Sequence, residues 1–241
     1  MTSSACAGDA AAARRLEIAS GLAAVHARIS LACAAAGRDP AAITLIVVTK
    51  THPPSDVALL ATLGVRDVGE NRDQEAAPKH DACAGLGLRW HFIGQLQSNK
   101  ARSVAGYADL VHSVDRRSLV GALDRGAQRH GRLLDCLVQV SLDGDPHRGG
   151  VPLPDLPGLA AAVASAAHLR LCGVMAVAPL GADPGRAFAA LPDLLDSVRE
   201  HAPQADVISA GMSGDLEAAV TSGATHLRVG SAILGPRPTL R

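Results

Sequence analysis

Lys50 is the residue of this sequence that is best placed for covalent chemistry. It follows the apolar run Ile43–Thr49, which alternates like a β-strand, and it shares a face with Val48 and Ile46. If that face points into a barrel, desolvation lowers the pKa of the amine and favours the neutral form, which can form a Schiff base with a carbonyl compound. Its position alone favours a solvated lysine at a strand end over a lysine that forms a Schiff base.

Two turns of small residues near the C-terminus predict an anion site. The segment Val207–Asp215 joins a strand to a helix, and Ser213 is expected to cap that helix, where backbone N–H groups are exposed. The next strand ends in Gly230 and Ser231, which form another tight turn. The loops after the last two strands of an α/β barrel are its usual phosphate site. A phosphate held opposite Lys50 would suit a phosphorylated carbonyl compound.

The rest of the chain predicts the strands that would position these groups. Short runs rich in Val, Ile and Leu alternate with Ala/Leu-rich helical stretches over 241 residues, close to the length of one α/β barrel. The predicted strands are Ile43–Thr49, Asp67–Glu70, Arg89–Ile93, Leu110–Val114, Leu134–Ser141, Leu171–Val177, Asp206–Ser209 and His226–Val229.

Helices are predicted between these strands, because a parallel crossover of a dozen or more residues is normally helical. Eight such units favour a single (β/α)8 TIM barrel of class α/β over residues 10–241, after a flexible N-terminus at residues 1–9, although an open sheet is also compatible with the count. A Pro-rich segment at 151–157 is predicted as a loop. The predicted helices are 10–37, Ser55–Leu63, Asn99–Ala105, Arg117–His130, Leu156–Ala166, Arg186–His201 and Leu216–Ser222.

Composition argues against several classes of partner. Lys plus Arg and Asp plus Glu number 23 each, so the chain offers no broad basic surface for nucleic acid. No apolar run is expected to reach the ~20 residues that span a bilayer, and the N-terminus lacks the order of a secretory signal. The five cysteines are scattered without zinc-ligand spacing. We therefore expect a cytoplasmic protein with reduced thiols and no metal, nucleic acid or membrane partner.

Six motifs, in order along the chain, resemble those of one protein family. The pyridoxal phosphate homeostasis proteins, also called the YggS/PROSC family, are similar to this sequence over nearly its whole length. The stretch at 90–100 is the most specific of the six. The motifs are V-V-T-K-T at 47–51, G-E-N-x-x-Q-E at 69–75, W-H-F-I-G-Q-L-Q-S-N-K at 90–100, G-V-M-A at 173–176, G-M-S-G-D at 211–215 and R-V-G-S-A-I-L-G at 228–235.

The resemblance implies a barrel similar to the N-terminal domain of alanine racemase, with pyridoxal 5'-phosphate (PLP) as cofactor. The sequence departs from relatives at Val68, Arg72 and Asp73, where phenylalanine, tyrosine and valine are common, and at Ala210, which replaces a methionine. The changes at Arg72 and Asp73 could alter the pocket rim or a partner surface. The implied cofactor residues are Lys50 for the Schiff base, Asn71 and Met212 in the pocket, Arg228 at the pyridine nitrogen, and Ser213, Gly230 and Ser231 near the phosphate.

Arg228 bears on the kind of PLP chemistry that we expect. A permanent cation beside the pyridine nitrogen disfavours its protonation, so the ring withdraws electrons poorly. Alanine racemases compensate with a tyrosine base from a second domain of a partner subunit, whereas the only tyrosine here is Tyr107 and six residues follow Gly235. We predict a monomeric, non-catalytic carrier that takes part in intracellular PLP homeostasis and delivers PLP to apo-enzymes. The alternative is a weak or narrow amino-acid racemase, and a class I aldolase is the least favoured.

Three further polar residues allow two interpretations each. His91 lies on the strand face opposite Trp90 and Phe92, and a structural histidine is about as consistent with this spacing as a functional one. Glu70 and Glu75 flank Asn71 and could act as acid–base groups, but surface or loop-capping carboxylates fit their positions better.

Overall fold

A computed structural model describes residues 3–145 and 148–236, and in these ranges eight parallel strands close into one barrel. The strand order is β4-β3-β2-β1-β9-β8-β7-β5, and pairing of β4 with β5 closes it, so the predicted TIM barrel is confirmed. The strands are β1 (Thr44–Val48), β2 (Asp67–Glu70), β3 (Arg89–Phe92), β4 (Leu110–Val114), β5 (Leu134–Ser141), β6 (Val151–Pro152), β7 (Leu169–Met175), β8 (Val207–Ser209) and β9 (His226–Val229).

Helices surround the barrel and follow most strands, as the alternation predicts. The short β6 was predicted as a loop, but it pairs with the end of β5 outside the closed barrel. The helices are α1 (Ser3–Ala35), α2 (Pro54–Thr62), α3 (Asp73–Ala82), α4 (Ala101–Tyr107), α5 (Arg117–Arg129), α6 (Leu156–Ala164), α7 (Pro184–Phe188), α8 (Leu191–Arg199), α9 (Leu216–Thr221) and α10 (Ser231–Leu234).

Three helices differ from the predictions for identifiable reasons. Helix α1 begins at Ser3 instead of residue 10; its first seven residues, with two serines, a glycine and only two alanines, have no apolar periodicity from which a helix could be predicted. Helix α3 was not predicted, and Pro78 within it obscures the pattern. The predicted helix Arg186–His201 is two helices, and Pro192, which lacks an N–H, lies in the first turn of the second.

Parts of the predicted domain boundaries stay untested. The flexibility of residues 1–9 stays a prediction, since the helix that begins at Ser3 reports a backbone conformation and no motion. Residues 1–2, 146–147 and 237–241 lie outside the described part of the chain, and the last of these belong to the predicted domain 10–241.

Helix α1 corrects one prediction drawn from composition. Within its stretch Asp9–Ala35 an 18-residue window has a mean hydropathy of 1.5, and the stretch has the length of a membrane span, contrary to the expectation that no run would reach this limit. Many small alanines raise its hydropathy, which an inspection of large apolar residues underestimates. Ile18, Leu22 and Val25 on one face are buried in the main hydrophobic core, where α1 packs against α9 and α10. This apolar face is therefore used within the protein.

The barrel interior combines an apolar cluster with a set of buried polar side chains. Leu110, Leu137 and Met175 form a small core that is separate from the large one between strands and helices. Strand residues alternate in direction, so His112 and Arg228, each one residue away from a member of the large core, point inward instead. The interior therefore holds buried polar side chains beside this apolar cluster.

Candidate functional site

One cavity at the C-terminal ends of the strands collects all the cofactor residues implied by the sequence. It has a volume of about 350 Å³. A neighbouring cavity of about 820 Å³ contains Lys100 and shares Asn71 with it, but it lacks the other implied residues. We therefore place the candidate site in the smaller cavity. The implied residues that line it are Lys50, Asn71, Met212, Ser213, Arg228, Gly230 and Ser231.

Lys50 follows β1 directly and is held in the cavity wall by a tight turn. Thr51 has a φ of 67°, a left-handed conformation that costs a β-branched residue about 1–3 kcal/mol. Its N–H donates to Glu75 Oε2 at 3.0 Å, and the His52 N–H donates to the Thr49 carbonyl at 3.1 Å. The interpretation of Glu75 as a loop-capping carboxylate is confirmed, and the turn fixes the backbone from which Lys50 projects.

A buried ion pair between Lys79 and Glu70 stabilises the end of β1. Lys79 Nζ donates to Glu70 Oε1 at 2.5 Å and to the Thr49 carbonyl at 2.9 Å, and Thr49 Oγ1 donates to the same carboxylate at 2.7 Å. Burial acts to raise the pKa of Glu70, and Lys79 and Thr49 act against it. The interpretation of Glu70 as a surface carboxylate is therefore wrong. Sequence reasoning missed Lys79 because α3, the helix that carries it, was not predicted.

The small-residue turns after β8 and β9 converge on the cavity, although their bonding differs from the prediction. Asp215 is the N-cap residue of α9 and accepts the Met212 N–H at 2.6 Å, so the prediction that Ser213 caps this helix is wrong. The carboxylate is the stronger acceptor and closes the turn by itself. The Ser213 hydroxyl lies 3.2 Å from that of Ser231 and accepts the Ala232 N–H at 3.4 Å. The two hydroxyls therefore stand together at one end of the cavity.

Gly230 lets the backbone after β9 approach β1 closely. A Cβ on this residue would lie 3.0 Å from the Val48 carbonyl oxygen and 3.3 Å from the Val48 side chain. A larger residue would have to displace the strand that carries Lys50. The glycine therefore brings the two sides of the cavity within reach of one small ligand.

Arg228 reaches the cavity from the barrel interior. Its two terminal nitrogens donate to Ser209 Oγ at 2.5 Å and to the Ala176 carbonyl at 2.8 Å. Burial lowers the pKa of its guanidinium to about 10, so the group stays charged at neutral pH. Among the described ion pairs none includes Arg228. It is a buried cation whose protein contacts are hydrogen bonds to neutral groups.

His91 and Tyr107 lie away from the cavity. His91 is buried, with Nδ1 3.0 Å from His112 Nε2 and Nε2 2.9 Å from Asp67 Oδ1, which favours the structural interpretation. Tyr107 is buried in α4 on the outside of the barrel, with its ring 5.7 Å from that of His80. The chain's only tyrosine therefore does not face Lys50.

Two buried histidines predict a loss of stability on acidification. Burial lowers the pKa of His226 to about 4 and that of His112 well below its ordinary value. In the unfolded chain both take up protons near pH 6.5, so between about pH 6.5 and 4 the unfolded state binds more protons than the folded state. The free energy of unfolding should then fall by about 1.4 kcal/mol per pH unit for each histidine that stays neutral.

Urea unfolding between pH 7 and pH 5 measures this slope. Glu70 opposes it, because burial raises the pKa of that carboxyl and the folded state takes up its proton earlier. His226→Asn should remove about one histidine's share of the slope, whereas the same change at the exposed His26 should leave it unaltered. An equal slope in the wild type and His226→Asn would contradict the assignment.

Comparisons with known proteins fit the fold. The alanine racemase N-terminal domain family matches residues 21–238. The pyridoxal phosphate homeostasis protein of Corynebacterium glutamicum is 44% identical over 221 residues, covering 89% of this chain and 99% of the relative. That of Escherichia coli K12 is 40% identical over 229 residues, covering 92% and 97%.

Solved structures also match the fold of this chain. PipY of Synechococcus elongatus, solved with PLP bound, matches with a TM-score of 0.80 and 34% identity, covering 90% of this chain and 100% of PipY. Alanine racemase of Corynebacterium glutamicum matches with a TM-score of 0.67 and 17% identity, covering 91% of this chain and 63% of the racemase. The second likeness concerns the fold alone.

Proposed function

Because the chain belongs to the family of pyridoxal phosphate homeostasis proteins, we propose that it binds PLP reversibly, as a Schiff base on Lys50, and takes part in intracellular PLP homeostasis. One observation carries the assignment of the site. An amine, a pair of hydroxyls and a buried guanidinium converge on a single cavity of about 350 Å³, within the usual size range of small-molecule sites.

The residues present fit the parts of PLP. The hydroxyls of Ser213 and Ser231 and the close backbone at Gly230 suit the phosphate, and Lys50 suits the aldehyde. Arg228, which the protein leaves without a carboxylate partner among the described ion pairs, suits the pyridine nitrogen. When bound, PLP supplies a carbonyl carbon that joins amines and a ring that can withdraw electrons.

A holding role fits these residues better than turnover. The charged Arg228 disfavours a proton on the pyridine nitrogen, which weakens the ring as an electron sink. Tyr107 lies outside the cavity, so it does not supply the second base that a racemase needs. The racemase alternative rests on a likeness of fold at 17% identity and has less support.

We also propose a compartment, an oligomeric state and partners for this function. The protein acts in the cytoplasm as a monomer and passes PLP to apo-enzymes, without a nucleic acid or membrane partner. A formal net charge of zero and scattered cysteines support this setting. The half-exposed Met212 at the cavity rim leaves the site open to an acceptor.

A titration followed by an exchange assay tests the proposal. Adding PLP to the apo-protein should produce an imine absorption band that saturates at one PLP per chain, and an apo-enzyme added afterwards should recover activity. Incubation of the loaded protein with single enantiomers of amino acids in deuterated water should leave their Cα–H bonds unexchanged. The absence of an imine band would refute PLP binding, and rapid exchange would favour the racemase.

A further inference from the structure

A line of hydrogen bonds crosses the barrel from Arg228 to the start of β2. Arg228 donates to Ser209 Oγ at 2.5 Å, and Ser209 Oγ lies 2.9 Å from His112 Nδ1. His112 Nε2 lies 3.0 Å from His91 Nδ1, and His91 Nε2 lies 2.9 Å from Asp67 Oδ1. Ser209 and both histidines are fully or almost fully buried. The line therefore runs through the protein without reaching solvent before Asp67.

The chemistry of Arg228 and Asp67, at the two ends of this line, determines in which direction its hydrogen bonds are donated. A guanidinium only donates hydrogen bonds, and an ionised carboxylate only accepts them. Burial acts to raise the pKa of Asp67, but the hydrogen bond from His91 and the nearby Arg89 and His226 hold it below its usual value. Asp67 is therefore ionised at neutral pH and can act only as an acceptor.

The intermediate groups must then all donate towards Asp67. A neutral imidazole has one donor and one acceptor, so the relay requires His91 and His112 each to carry the proton on Nε2 and to accept on Nδ1. Burial lowers the pKa of His112, which keeps its ring neutral. The Ser209 hydroxyl donates to His112, which leaves its lone pairs directed at Arg228. Each hydrogen bond of the line then has one donor and one acceptor.

We propose that Asp67, His91, His112 and Ser209 form a relay that positions Arg228 in the cofactor cavity and links its buried guanidinium by hydrogen bonds to an ionised carboxylate. The cation and the carboxylate are joined through aligned donors, which polarise one another in a low-dielectric interior. Asp67 and the histidines are positioning residues, since none of them lines the cavity. Their effect on a ligand must therefore pass through Arg228.

The other titratable groups described near the relay are Arg89 and His226 on the side of Asp67 and His91, and Asp215 near Arg228. Arg89 NH1 is 3.8 Å from Asp67 Oδ1, and the His226 ring is 6.3 Å from that of His91. At the other end, Asp215 acts to raise the pKa of Arg228 but makes no ion pair with it among the described contacts. The carboxylate that the relay connects to Arg228 is therefore that of Asp67.

Asp67→Asn tests the relay because it keeps the size of the side chain and removes its charge. The Kd of PLP should rise by roughly 5-fold or more, at the lower end of the usual range for coupling between sites. Asp135→Asn is the matched control, because Asp135 also lies near the start of a strand, has the same 17% side-chain exposure, and bonds an arginine outside the relay. It should bind PLP like the wild type. Asp67→Asn that folds and binds PLP with the wild-type Kd would overturn the proposal.

Nuclear magnetic resonance of the apo-protein labelled with ¹⁵N-histidine tests the relay without the cofactor. The wild type should show His112 neutral, and both His91 and His112 protonated on Nε2. Protonation of either ring on Nδ1 would overturn the proposed direction. This measurement separates the relay from the proposed function. The effect on PLP binding rests on the proposed function, whereas the tautomers can be determined without PLP.

A pair of substitutions at His112 distinguishes positioning from simple packing. His112→Asn keeps an acceptor near the place of Nδ1 for Ser209, whereas His112→Ala removes it. The alanine variant should weaken PLP binding and shift the pH profile of the imine band, and the asparagine variant should recover part of both effects. Equal effects of the two variants on binding, with equal melting temperatures, would count against the relay.

Discussion

Replacement of Lys50 by alanine is expected to abolish the imine absorption of bound PLP and to raise the Kd of PLP by roughly tenfold or more, which corresponds to about 1.4 kcal/mol. The covalent bond is lost, while the hydroxyls of Ser213 and Ser231 and the guanidinium of Arg228 remain to hold the phosphate and the ring. Absorption spectroscopy and equilibrium dialysis measure the two effects.

Lys100→Ala is the matched control, because Lys100 lies in the neighbouring cavity of about 820 Å³ and does not line the smaller one. It should retain the imine band and the wild-type Kd. A band that survives in Lys50→Ala and disappears in Lys100→Ala would move the cofactor to the larger cavity.

Replacement of Lys79 by methionine is expected to lower the free energy of unfolding by about 3–5 kcal/mol, the usual cost of removing one partner of a buried ion pair. Glu70 would be left buried beside Thr49 with its charge uncompensated, and the end of β1 would lose a bond to its carbonyl. Urea unfolding at pH 7 measures the loss. PLP binding should also weaken, because the same carbonyl precedes Lys50.

Two further variants make this result specific. Lys79→Met combined with Glu70→Gln should recover stability relative to Lys79→Met, since no unpaired charge remains. Arg170→Met breaks the exposed pair with Asp135 and should cost less than about 1 kcal/mol. A loss below about 1 kcal/mol in Lys79→Met would contradict the role given to the buried pair.

The barrel and the position of Lys50 could be predicted because their signals are local in the sequence. Apolar runs of strand length recur eight times, and four of them, Asp67–Glu70, Leu110–Val114, Leu134–Ser141 and His226–Val229, coincide with strands of the structure. A strand end is where such folds place function. Lys50, directly after the first predicted strand, is therefore a candidate that the sequence alone provides.

The polar support of the site could not be predicted, because its members come from distant parts of the chain. His112 and Ser209 are 97 residues apart yet bonded at 2.9 Å. No spacing rule links residues of different strands until the barrel closes. Ser213 failed as a predicted cap for a related reason, since α9 begins after Asp215 and the Ser213 hydroxyl accepts the N–H of Ala232, a residue 19 positions away.

The most direct test of the central claim is to identify the amine that carries PLP. The chain has only three lysines, Lys50, Lys79 and Lys100, so the answer is unambiguous. The loaded wild-type protein is reduced with borohydride, which converts the imine to a stable secondary amine, then digested and analysed by mass spectrometry. We predict one pyridoxyl phosphate group, on Lys50. A label on Lys79 or Lys100, or on the N-terminal amine, with Lys50 unmodified would contradict the account.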